Sequence, residues 1–172
     1  RALPEGSAGA RAARSPAAAA PDAERLSPCR SELLALLGGG GAPRDSVTLG
    51  LLRALAERCP DDRRVAIEEA DARSRAGREG EAARRFLAMG ERWPQEPAIA
   101  LGYARHLVRH GRFEMVAAAL APVPPTSPFA AEAAWLEVTA LAGQLRFTAA
   151  AAAARRAATL AVPRGPYLSA AT

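Results

Sequence analysis

The chain has 172 residues, enough for one domain or one short solenoid, and a net charge of +5 carried entirely by arginine, since it contains no lysine and no asparagine. Aromatic residues make up only 5 % and alanine dominates the apolar 49 %, so any core must come from close approach of helices rather than from large side chains. Acidic residues are interspersed among the arginines, no arginine run is interleaved with aromatics, and no stretch is long and apolar enough for a membrane span, which argues against nucleic-acid binding and against membrane insertion.

The chain begins at Arg1 without a methionine and reads as a piece of a larger, bacterial-looking chain, its Arg and Ala usage being that of a GC-rich coding sequence. Residues Arg1–Asp22 are Ala, Pro, Gly and Arg with almost no large apolar side chain. Such a segment cannot bury enough surface to offset the entropy of ordering, and it predicts a disordered linker. It also lacks an apolar run of signal-peptide type. Ser27-Pro28 predicts a helix start, with serine as N-cap and proline in the first turn. That helix carries Leu33, Leu34, Leu36 and Leu37 and stops at Gly38. The run Gly38–Gly41 forms a loop; it is no phosphate cradle, because no Gly-Lys-Ser/Thr follows it. Asp45 or Ser46 caps a second helix bearing Val47, Leu51, Leu52 and Leu55, which ends at Pro60.

Asp61 or Asp62 caps a third helix that Gly77 ends, and Glu79 to Arg92 forms its partner, with Ala82, Phe86 and Met89 in line. Pro97 opens the next helix, with Ile99, Tyr103, Leu107 and Val108 as core; Phe113, Val116 and Leu120 line a partner cut short by Pro122, Pro124 and Pro125. Ser127-Pro128 repeats the cap of Ser27-Pro28, ahead of a helix marked by Trp135, Val138 and Leu141. Leu145 to Ala161 is an alanine-rich helix that Pro163 stops, and residues 163–172 read as a tail.

A period runs through these elements. Gly77 and Gly111 are 34 residues apart, as are Pro60 and Pro94, and Gly143 follows Gly111 at 32. Aligned on those glycines, Ala70 matches Ala104, Ala82 matches Val116, and Phe86 matches Leu120. Spacing and residue types together resemble the tetratricopeptide repeat (TPR) family, a helix–turn–helix unit of 34 residues, over roughly Ser46 to Val162. Arg73 departs from the pattern, standing where the family has a large apolar residue. The resemblance implies an all-α superhelix of three to four antiparallel hairpins over residues 23–162. Ala82, Phe86, Ala104 and Trp135 are expected to organise its core.

Chemistry is sparse. His106 and His110, one turn apart, share a face, but no Glu or Cys ligand stands beside them and the HExxH glutamate is missing, so no metal site is expected. Glu68, Glu69 and Asp71 read as surface acids of a solvated helix. Cys29 and Cys59 read by default as two structural thiols. Cys29 begins one helix and Cys59 ends the next, and an antiparallel pair brings them near each other; in an exported protein a disulfide could form there, which needs their Cα atoms within about 7 Å. No nucleophile elbow, kinase signature or dinucleotide fingerprint is present, so neither an enzyme nor a cofactor is expected.

What remains is a binding surface. In TPR-like stacks the first helix of each hairpin lines a concave groove, and the resemblance places Arg64, Ile67, Asp71 and Arg75 there. Leu101, Arg105, Val108 and Arg109 follow in the next copy, Ala133 and Glu137 in the last. The expected partner-binding residues are Arg64, Asp71, Arg75, Arg105, Arg109 and Glu137, with Arg75, Arg105 and Arg109 dominant and the partner a protein or peptide, acidic or of mixed charge. The carboxylate clamp of chaperone-binding family members uses lysine and asparagine, which this chain lacks, so that function does not carry over. Two other readings stay open: a regulatory or sensor domain of a larger catalytic or DNA-binding protein, and an envelope assembly factor. Cytoplasm is the favoured compartment, with a periplasmic or membrane-tethered location as the alternative.

Overall fold

The computed structural model of the chain describes residues 27–38 and 46–160. The expected linker 1–22, the body of the glycine loop and the tail 163–172 lie outside the described residues. The described part is all-α, with no strand. Its helices are α1 (Pro28–Gly38), α2 (Ser46–Arg58), α3 (Arg63–Arg75), α4 (Glu79–Arg92), α5 (Pro97–Arg109), α6 (Val116–Leu120), α7 (Ala130–Gly143) and α8 (Phe147–Leu160), with a 3₁₀ turn at Phe113–Met115 ahead of α6. Each helix touches the next, and α1 touches α3, α3 touches α5, and α5 touches α7.

Local chemistry sets the boundaries. Ser27 Oγ accepts from the Arg30 amide at 3.2 Å, and Asp62 Oδ1 accepts from the Arg64 and Val65 amides at 2.9 and 3.1 Å, which satisfies donors that a helix start leaves free. α5 carries Pro97 in its first turn. The expected cap at Ser127 falls differently: Ser127 Oγ accepts from the Phe129 amide, and α7 begins only at Ala130.

The turns repeat with a strict period. After α3 the Arg78 amide reaches the Arg73 carbonyl, after α5 the Arg112 amide reaches Leu107, and after α7 the Arg146 amide reaches Leu141. This six-to-one bond is the Schellman ending, which requires a positive φ at the residue before the donor. Gly77 (φ 76°) and Gly111 (φ 71°) supply it, and in the third copy Leu145 does so at φ 60°. The expected alignment of Gly143 is therefore corrected. The turn residue is Leu145, 34 positions after Gly111, as Gly111 is after Gly77. Gly143 instead makes room for a ring. An added Cβ there would meet the Phe113 side chain at 2.5–2.6 Å, so the missing side chain is what lets that phenyl group pack. The connections between hairpins repeat as well. The Asp62 amide reaches Cys59, the Glu96 amide reaches Trp93, and the Ala130 amide reaches Ser127, at 3.1, 3.1 and 3.0 Å.

Most equivalent positions share their burial. Ala70 and Ala104 are fully enclosed, as are Ala82 and Val116, and Phe86 is buried while Leu120 is half-buried. Alanine at Ala70 and Ala82 lets α3 and α4 close on each other, and Phe86 fills the gap to α5. Trp135 is a correction: it is 51 % exposed and organises no core. Its face of α7, shared with Thr139, is turned to solvent, while α7 meets α8 through the small side chains Ala140, Ala150, Ala153 and Ala157. A seam that narrow has no place for an indole.

Cys29 and Cys59 form a disulfide with Cα atoms 6.2 Å apart. It ties the start of α1 to the end of α2, beside the ion pair of Arg58 with Glu32.

Candidate functional site

The densest polar cluster joins α3 to α5. On α3, Asp71, Ser74 and Arg75 lie within one turn or so of one another, and His106 and Arg109 of α5 with the C-cap residue His110 do the same. Asp71, Ser74 and His106 are all buried. Asp71 and Glu69 are corrections to the expectation of surface acids. Each is buried because arginines compensate its charge: Arg75 and Arg109 on Asp71, Arg73 and Arg85 on Glu69. Arg73, the departure from the repeat pattern, forms the ion pairs with Glu69 and Glu81 in place of apolar packing.

Ser74 is the hub. Arg109 donates to its Oγ at 2.7 Å and to Asp71 Oδ1 at 3.1 Å. His106 Nδ1 lies 2.9 Å and His110 Nε2 3.3 Å from the same Oγ. A hydroxyl has one hydrogen to give and two lone pairs to accept with. With Arg109 on one lone pair, one imidazole donates to the other and the second imidazole must accept the hydroxyl hydrogen. The pair is therefore satisfied only while at least one of these ring nitrogens is deprotonated. The two rings are 4.7 Å apart, and the His106 ring also stacks on Tyr103 at 6.1 Å.

Burial, with the neighbouring His110 second, holds the His106 pKa below its ordinary 6.5. Facing it are Asp71, Glu79, Arg109 and His110. The sign follows from linkage: in the unfolded chain the histidine takes up a proton near pH 6.5 while the folded one resists, so stability is full above that pH and falls as pH drops below it. The melting temperature is expected to be flat at and above pH 7.5 and to decline towards pH 5.5. His106→Gln should flatten that part of the profile. A profile of unchanged slope in the variant would show that the titrating group lies elsewhere. Glu79, held below its usual range by the hydrogen bond from Arg112, gives way only at still lower pH.

The expected binding residues separate into groups. Asp71, Arg75 and Arg109 come together in this cluster. Arg105 turns the other way and pairs with Glu132 of α7, its Nε 2.6 Å from Oε1, so it does not join Arg109 despite being one turn from it. Glu137 pairs with Arg156 of α8 at 3.2 Å, away from Asp71. Arg64 pairs along its own helix with Glu68 at 2.9 Å. Ile67 and Leu101, also expected on the groove face, are buried in the core. Ser74 carried no signal in the sequence, because a serine near a helix end looks the same whether or not two histidines 32 and 36 positions later converge on it.

Among the described residues no group of three or more His, Cys, Asp and Glu is placed to hold a metal ion, and no helix is long and apolar enough to cross a membrane. No family model, curated protein or solved structure matches the chain.

Proposed function

We propose that the chain is a TPR-like repeat module, a right-handed stack of helical hairpins that binds a protein or peptide on the face of α3, α5 and α7. The 34-residue recurrence of the backbone turns is the observation that carries the repeat reading. Side-by-side contact of α3, α5 and α7 agrees with it. Such stacks present an extended surface built by successive units. For the partner, the supporting observation is the charge at Asp71: two guanidinium groups share one carboxylate, and Arg75 Nε is buried with no acceptor of its own. A partner carboxylate supplies the missing negative charge, gripped by the outward N–H groups of the two guanidiniums.

The test is capture of partners from lysate by the wild type, by Arg105→Glu and by Arg109→Glu, with helicity and melting point followed in parallel. Reversal at a folded site is expected to release the captured partners, and capture should weaken as salt rises, since exposed charges are screened beyond about 8 Å at physiological ionic strength. Undiminished capture by folded charge-reversal variants would refute a role for these arginines in partner binding and leave them with their intramolecular pairs alone. A second reading, an envelope assembly factor built on the same module, is supported by the Cys29–Cys59 disulfide, a bond that persists in oxidising compartments.

A further inference from the structure

Between α2, α3 and α4 lies a pocket of about 700 Å³ that shares no residue with the Ser74 cluster. Its wall carries four arginines and three glutamates. Most of these charges are already matched. Arg53 pairs with Glu57 at 3.1 Å, and Arg73 bridges Glu69 and Glu81. Two groups are left over. Arg84 lines the pocket with no hydrogen bond or ion pair to any described residue. Glu69 is 1 % exposed, yet its Oε2 has no hydrogen-bond partner, because Arg85 Nε stands 3.5 Å away, too far to donate well. An arginine with no partner among the described residues and a buried carboxylate oxygen that lacks a hydrogen bond, in one cavity, require opposite things of a ligand.

We propose that this pocket binds a free α-amino acid as its zwitterion. The carboxylate bridges Arg84 and Arg85, and the ammonium donates to Glu69 Oε2. Arg85 is half-exposed and, among the described residues, held only by the long contact to Glu69. Turning to the ligand carboxylate, it uncovers that oxygen for the ammonium. The volume lies within the range of small-ligand sites. The two leftover groups set the class: Arg84 calls for an anionic group, and Glu69 Oε2 for a hydrogen-bond donor. Ala56, Pro60 and Ala88 leave apolar wall for a side chain. Neither the pocket nor its ligand depends on the groove reading.

The experiment titrates the full chain with each standard L-amino acid in turn, by thermal shift and then by calorimetry. Parallel titrations use the N-acetyl derivative, which lacks the ammonium, and the amide, which lacks the carboxylate. At least one amino acid should raise the melting point and release or absorb heat saturably, while its N-acetyl and amide forms do not. Arg84→Ala, which breaks no ion pair, should keep the ligand-free melting point and weaken binding about tenfold or more, the effect of losing a charge-assisted hydrogen bond. Glu69→Gln removes the negative charge that the ammonium pairs with and should narrow the discrimination against the N-acetyl form. The proposal is overturned if no amino acid binds, if the N-acetyl form binds as well as its parent, or if Arg84→Ala binds like the wild type.

Discussion

Phe86→Ala is expected to cost about 3–5 kcal/mol, the range for emptying a buried aromatic site. Phe86 is 1 % exposed and sits where three helices meet. Ala66, Ile67 and Ala70 of α3, Met89 of α4 and Ile99 of α5 enclose it, and the rings of Tyr103 and His106 each lie 6.0 Å from its centroid. The neighbours cannot collapse into the space, because they are short or fixed by the helix backbones. Gly102 shows how tight the fit is: a Cβ there would stand 2.7 Å from Phe86 Cε1. A total stability of about 5–15 kcal/mol is usual for a domain, so this loss is a large fraction of the whole. Leu87, the next residue, is 53 % exposed, and Leu87→Ala should change stability by no more than about 0.5 kcal/mol. Chemical denaturation of the two variants decides the matter. A Phe86→Ala variant as stable as Leu87→Ala would mean that α4 does not pack on α5 as described.

Removing the disulfide, by Cys29→Ala with Cys59→Ala, is expected to cost about 3–4 kcal/mol. That figure follows from the chain entropy released when a loop spanning 30 residues is opened in the unfolded state. The effect should concentrate in α1. That helix buries only Leu33, with Leu36 and Leu37 partly covered against Leu49, Leu52 and Leu55, so without the covalent tie little holds it. Amide exchange should therefore quicken first over Pro28–Gly38 in the variant, with α3 to α5 still protected. Alkylation of denatured, unreduced protein should label neither cysteine. Labelling of both in protein from an oxidising compartment would refute the bond, and uniform loss of protection would refute the local role of the tie.

What the sequence determined by itself was whatever adjacent residues and a fixed period decide. Asp62 and Pro97 start helices because caps and first-turn prolines act on amides two or three positions away, and Gly77 and Gly111 end them because a positive φ costs glycine little. The nearness of Cys29 and Cys59 was legible too, since an antiparallel helix pair brings the start of the first helix to the end of the second; the bond between them was not. The all-α class followed from these signals. The proposed binding face was legible only as a set of positions.

Tertiary structure decided which charges meet. Arg105 and Arg109 are equivalent in sequence, one turn apart, yet one reaches forward to Glu132 and the other back to Asp71 and Ser74, because each guanidinium takes the acceptor that the neighbouring helix offers. Burial of Glu69 and Asp71 depends on arginines brought from other turns and other helices, which no local pattern encodes. Trp135 lies outside the core for the same reason: size marks a residue for a core only if a neighbour stands opposite, and α8 meets α7 along alanines instead. Leu145 adopts its positive φ without glycine's help because the Arg146 to Leu141 turn and the packing of α7 on α8 impose it. Periodicity and capping are short-range and survive in a linear string; partner choice among like charges is settled only when helices distant in sequence come within reach of one another.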